Sequence, residues 1–175
     1  MKHMPTNRPL PKSTSPYEYL PVKYPPLSPE DLDAFLGGKY VSNLATVSKD
    51  GSPHVKPVWF KWEKGRIWVM TWLKCKTVTN IQRNNRVAIS IDPSVVPVNS
   101  FPSAGCLIHG EATLVPEIKN KIEPDSWHFR IFAKYLGEEN CYKPPTSIHL
   151  ANPDMAICVK PTKILSWDFT KIPTE

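Results

Sequence analysis

The sequence predicts a mainly β protein, an antiparallel β-barrel with a few peripheral helices. Three observations lead there. About seven short runs rich in Val, Ile, Trp and Thr follow one another at hairpin spacing. Asp50-Gly51 and Lys64-Gly65 lie between such runs, as tight turns require. Helical signals are short and sit before, between or after the strands rather than alternating with them one for one.

Each element has its own warrant. Ser28-Pro29-Glu30-Asp31 reads as an N-cap, a first-position proline and first-turn acids, followed by an inward Leu32, Phe35 and Leu36 and a Gly37-Gly38 stop. Tyr40 to Val47 is a strand, and His54 to Trp62 returns as a second one. Pro57 inside that second strand points to an edge, a bulge or a stretch facing something other than a neighbouring strand. Arg66 to Trp72 completes a three-stranded meander. Thr77 is the expected cap of a helix running to about Asn84, with Val78 and Ile81 inward. Arg86 to Ile91 and Gly105 to Val115 are strands, separated by a proline-rich loop over 92–104. Residues 117–137 are expected to be helical, in one or two pieces, with Trp127, Ile131 and Tyr135 on one stripe. Residues 138–153 read as irregular, and Met155 to Lys160 and Ile164 to Phe169 as two closing strands.

Composition bounds the class. With 175 residues, 41% hydrophobic and 22% charged, the chain is one domain with a sizeable core. Eight of its 20 prolines fall in the first 29 positions, so residues 1–27 form an extended arm rather than helix or central strand. Tyr17, Tyr19 and Tyr24 favour draping that arm over the body, residues 28–175, in which 117–153 is an insertion. No apolar run reaches the ~20 residues of a membrane helix. Met1 to Pro11 is polar where the apolar core of a signal peptide would lie, so a cytoplasmic location is expected. Cys75, Cys106, Cys141 and Cys158 are scattered, without zinc spacing, and read as free thiols.

Charge is concentrated rather than spread. Nine Lys and Arg fall between Lys49 and Arg86 against Asp50 and Glu63. Such a block suits an anionic ligand, and without a nucleic-acid motif the favoured one is the phosphate of a small molecule. The strand–loop–helix Ile67 to Asn84 offers the place. Thr71 ends the strand, Lys76 and Thr77 open the helix, and a helix N-terminus presents free N–H groups to anions. Lys56 and Lys61 lie on opposite faces of the neighbouring strand, so only a bulge near Pro57 brings both to one anion. Trp59, Trp62, Trp68 and Trp72 either fill the barrel or flank a planar ring such as a flavin, a pyridoxal or a haem. His54 reads as a surface residue and His109 as core, beside a Gly110 that permits close backbone approach. His128 and His149 share no metal spacing, and no catalytic acid–base pair can be assigned.

Several stretches resemble the pyridoxamine 5′-phosphate oxidase-like split-barrel family. They are Asn43-Leu44-Ala45-Thr46-Val47, Asp50-Gly51-Ser52-Pro53-His54, Pro57-Val58-Trp59-Phe60 and Asn80 to Val87, with weaker matches at His109-Gly110-Glu111-Ala112 and Ile164 to Asp168. The resemblance implies a Greek-key split barrel, a homodimer, and FMN at the subunit interface, or in some branches the deazaflavin coenzyme or haem. By the same resemblance Lys56, Pro57, Val58 and Trp59 hold or line the flavin, and Lys61, Thr71 and Trp72 join them. Lys76-Thr77 stands where the family has an Arg-Lys phosphate pair, so one cation is missing. The Arg-x-His-Asp-Arg substrate motif of the true oxidase is absent, and the ending at Ile172-Pro173 is a faint echo of its C-terminus. A flavin-dependent oxidoreductase acting between reduced nicotinamide and a small-molecule acceptor is therefore expected, rather than oxidation of pyridoxamine phosphate. A non-catalytic flavin or haem binder and a deazaflavin reductase are the alternatives.

Overall fold

A computed structural model describes residues 10–16, 24–93, 104–118 and 121–171. Tyr17, Tyr19, most of the 92–104 loop and the final residues from Ile172 on lie outside them. Helix α1 (Pro29–Gly37) begins as expected: the Ser28 hydroxyl accepts the Asp31 N–H at 3.1 Å, Pro29 follows, and Leu32, Phe35 and Leu36 are buried. It is preceded by a two-residue strand, β1 (Ser13–Thr14).

The barrel comes from β2 (Ser42–Val47), β3 (Pro53–Val58), β4 (Phe60–Glu63), β5 (Arg66–Thr71), β6 (Arg86–Ile91), β7 (Ala104–Glu117) and β8 (Asp154–Asp168). The strand order is β3-β2-β6-β7-β8-β5-β4, with antiparallel pairing throughout. The expected single strand over 54–62 is in fact two. It breaks at Trp59, and its halves pair at opposite ends of the order, β3 with β2 and β4 with β5. One residue therefore joins the first and last strands of the sheet, which must curl to allow it. Pro57, lacking an N–H, lies two residues before the break. The expected three-stranded meander is split at the same point.

The two closing strands expected after residue 154 are one strand. In β8 an extra residue, Thr162, is accommodated where the register with β7 shifts between His109 and Gly110, a bulge that bends the strand without ending it. A Cβ at Gly110 would come within 2.6 Å of the Lys160 carbonyl, so the close approach requires glycine. The first half of β8 pairs with β5, while the second half pairs in parallel with β1. The arm is thus fastened where it is described. Leu27 is buried and donates its N–H to the Ser166 hydroxyl at 2.8 Å, and Tyr24 meets Phe169 edge-on.

The expected helix over 117–137 is confined to α3 (Trp127–Leu136), because residues up to 117 continue β7. The Glu117 carboxylate takes the Trp127 and His128 N–H groups at 2.6 and 3.2 Å, and Ser126 caps from its own side chain. Gly137, at φ 86°, ends the helix in a conformation that favours glycine. Trp127, Ile131 and Tyr135 do form one stripe, packed on Trp68, Ala156 and Cys158. The region expected to be irregular carries two short helices, α4 (Glu138–Cys141) and α5 (Thr146–Leu150). Inside the barrel, Leu44, Phe60, Ile67, Val69, Ile89, Ile108, Ile157 and Ile164 form the dry core. The four cysteines are free thiols, and burial pushes Cys106 up to about 12.

Candidate functional site

Helix α2 (Lys76–Arg83) is held over one end of the barrel by β2 and β3. Asn80 donates to the Thr46 hydroxyl at 3.0 Å, Arg83 to the Val47 carbonyl, and Val78 and Ile81 are buried beneath. Its N-cap is Cys75, not the expected Thr77. The Cys75 side chain makes no capping bond, and the first turn contains no acid. The positive end of the helix dipole is left uncompensated by side chains.

Two strands deliver polar groups to that end. β4 pairs with β5 so that Phe60 faces Val69, and the chain continuing back into β3 runs alongside the end of β5. Lys56 therefore reaches Thr71, donating from Nζ to Oγ1 at 3.1 Å, and Thr71 Oγ1 lies 3.3 Å from Cys75 Sγ. Thr71 is buried because β5 turns Ile67, Val69 and Thr71 inward. Lys76 is exposed and shares an open groove with Ser48, Lys49 and Asp50. The Asp50 carboxyl is held below the usual carboxylate range, chiefly by the Ser52 hydroxyl and N–H, with Lys76 adding to the effect. It stays ionised at neutral pH and places one negative charge on the rim.

The remaining candidates are distributed elsewhere. Thr77 is 1% exposed, its Oγ1 lying 3.4 Å from His54 Nε2. Lys61 stands opposite Trp68 and 4.0 Å from Glu63, which also holds Arg130. That is the face covered by α3. The break at Trp59 does not bring Lys61 to the Lys56–Thr71 group. Pro57 is exposed and Val58 belongs to the core. Trp59 is stacked on Tyr135 at 4.7 Å and meets Phe132 edge-on. Trp62 donates to Asp33, Trp68 stacks on Trp127, and Trp72 is 54% exposed beside His149. The four indoles thus go to three surroundings rather than one cage, with Trp59 and Trp68 together under α3. Two residues were missed by sequence reasoning, Cys75 and His54. His54 shares a strand face with Lys56 two positions on, so the period of a strand was the signal that could have found it.

The donor set suits a phosphate ester: an ammonium, a hydroxyl and an uncapped helix N-terminus converge from three elements. Among the described residues no cluster of His, Cys, Asp and Glu has the makings of a metal site. No helix among them is long and apolar enough to cross a membrane.

No curated protein matches the sequence. Solved structures do. The conserved hypothetical protein Rv2991 of Mycobacterium tuberculosis is 22% identical at a TM-score of 0.67, covering 85% of this chain and 91% of that one. An F420 reductase is 25% identical at 0.58, covering 75% and 94%. A FAD-binding protein of Mesorhizobium loti is 15% identical at 0.52, covering 83% and 96%. The family model described as pyridoxamine 5′-phosphate oxidase matches residues 28–168, from the cap of α1 to the end of β8. With that span matched and the strands arranged as a split barrel, the chain belongs to the pyridoxamine 5′-phosphate oxidase family.

Proposed function

We propose that this protein is a flavin-dependent oxidoreductase that holds FMN by its phosphate at the start of α2 and passes hydride between a reduced nicotinamide and a small acceptor. The observation that carries the reading is the Lys56–Thr71–Cys75 group against a helix start with neither cap nor acid. In this reading Lys56, Lys76 and the first N–H groups of α2 bind the phosphate, and Thr71 orients Lys56. The flavin, when bound, supplies the hydride chemistry itself. The absence of the Arg-x-His-Asp-Arg motif argues against pyridoxamine phosphate as the substrate.

A homodimer fits the same reading. The outward side of β2 and β3 brings Ala45 opposite Val55 and Val47 opposite Pro53, and both valines are exposed. An apolar sheet face of this kind suits a second copy. Light scattering should give twice the chain mass, and a strictly monomeric flavoprotein would contradict it.

The 25% likeness to an F420 reductase favours a second reading, in which the deazaflavin coenzyme replaces FMN. The absorption spectrum of the purified protein, with mass spectrometry of what heat releases, separates the two. Flavin bands with an FMN mass that bleach on adding NADH or NADPH support the first reading. Bands that do not bleach point to a non-catalytic binder. A colourless protein that refuses FMN and takes up the deazaflavin supports the second.

A further inference from the structure

We infer that His54, as its imidazolium, supplies the second positive charge of the phosphate site, at the place where Thr77 offers only a buried hydroxyl. This rests on the proposed phosphate site at α2. Thr77 is sealed, 1% exposed, and its Oγ1 is bonded to His54 Nε2. An anion approaching the first turn of α2 from the β3 side therefore meets the half-buried imidazole and not the hydroxyl. β3 turns His54 and Lys56 to the same face, two residues apart. Lys56 serves Thr71 at the end of β5, and His54 serves Thr77 in α2. The two cations thus flank one helix end from a single strand. An imidazole gains and loses its charge across neutral pH, so phosphate affinity should follow that protonation.

The other titratable groups around this end are Lys56 on β3, Cys75 and Lys76 at the start of α2, and Lys49 and Asp50 on the β2–β3 turn. Thr46, opposite His54 on β2, is neutral. Asp50, held below the carboxylate range, is ionised across the window used. The phosphate monoester ionises with a second pKa of about 6 and gains charge as pH rises. It therefore drives affinity in the opposite direction to His54, and the sign of the effect separates them.

The experiment is a flavin fluorescence titration of the whole protein with FMN and, separately, riboflavin at about pH 6.5 and 8.5. FMN affinity should fall about tenfold at the higher pH, the loss of one charge-assisted hydrogen bond, while riboflavin affinity stays level. His54→Gln should abolish the pH dependence and Cys75→Ala, which removes the thiol without adding a cap, should keep it. A dependence that survives His54→Gln, or that disappears in Cys75→Ala, overturns the assignment, as does FMN binding no better than riboflavin. Should neither flavin bind, the cofactor reading fails and the His54 assignment is decided on its own. Inorganic phosphate must then raise the pH at which the His54 ring-proton NMR signals titrate, and an unmoved titration overturns it.

Discussion

Two helices of this protein start in opposite ways. α1 is closed at both ends. Ser28 caps its first turn, Glu30 and Asp31 answer the dipole, Lys171 pairs with Asp31 at 2.8 Å, and Lys134 donates to the Leu36 carbonyl in the last turn. α2 has a cysteine for a cap, no side-chain capping bond, no first-turn acid, and Lys56, Lys76 and His54 about it. The first arrangement satisfies a helix terminus from within the chain. The second leaves the terminus to be satisfied by something negative from outside. Tertiary anchoring through Asn80, Val78 and Ile81 compensates α2 for the missing cap, which is what permits its N-terminus to stay open.

Giving α2 what α1 has should produce the largest effect. Cys75→Asp supplies a cap and a charge, stabilising the fold by about 0.5–2 kcal/mol. The same change should cost FMN affinity about 100-fold, since a carboxylate then occupies the anion's place. Chemical denaturation and flavin titration read the two quantities separately, and a gain in both would erase the distinction between the helices. Next comes Lys76→Ala, expected to weaken FMN by ~1–3 kcal/mol with the denaturation midpoint unmoved. Unchanged affinity would remove Lys76 from the site.

Opening α1 instead is a test of stability alone. Ser28→Ala should cost about 1 kcal/mol and leave flavin binding untouched. Lys134 sharpens the other end of α1. Burial lowers its amine from 10.5 to about 8, so the folded state binds fewer protons than the unfolded chain between those values. Stability should therefore rise with pH across that window, and Lys134→Met should flatten the rise relative to wild type. A parallel pH profile in the variant would show that the amine is not the source. Lys171→Ala breaks an exposed pair with Asp31, and the midpoint should not move measurably.

The sequence carried α1 and the strand ladder because those signals are local. A cap, a proline and acids lie within four residues, and Asp50-Gly51 holds its own turn, with Gly51 at φ 86°. What it concealed depended on partners distant in the chain. Pro57 marks an irregularity near Trp59, but nothing local says which neighbour the strand takes next, because the switch from β2 to β5 is a property of sheet closure. The continuity of β8 through Pro161 depends on Gly110 across the sheet. Thr77 has the side chain of a cap, yet β3 sets His54 over it, and the helix starts two residues earlier, with Cys75 as its cap. Lys61 and the tryptophans were legible as unusual but not as separate, since α3, distant in the chain, brings Tyr135 to Trp59 and Trp127 to Trp68.

The central claim is that the open end of α2 binds a phosphate, and the difference between FMN and riboflavin affinity for the wild-type protein tests it most directly. The two ligands share the ring and differ in the phosphate. FMN should bind at least about 100-fold more tightly. Equal affinities would contradict the claim, because the phosphate would then find no partner at α2.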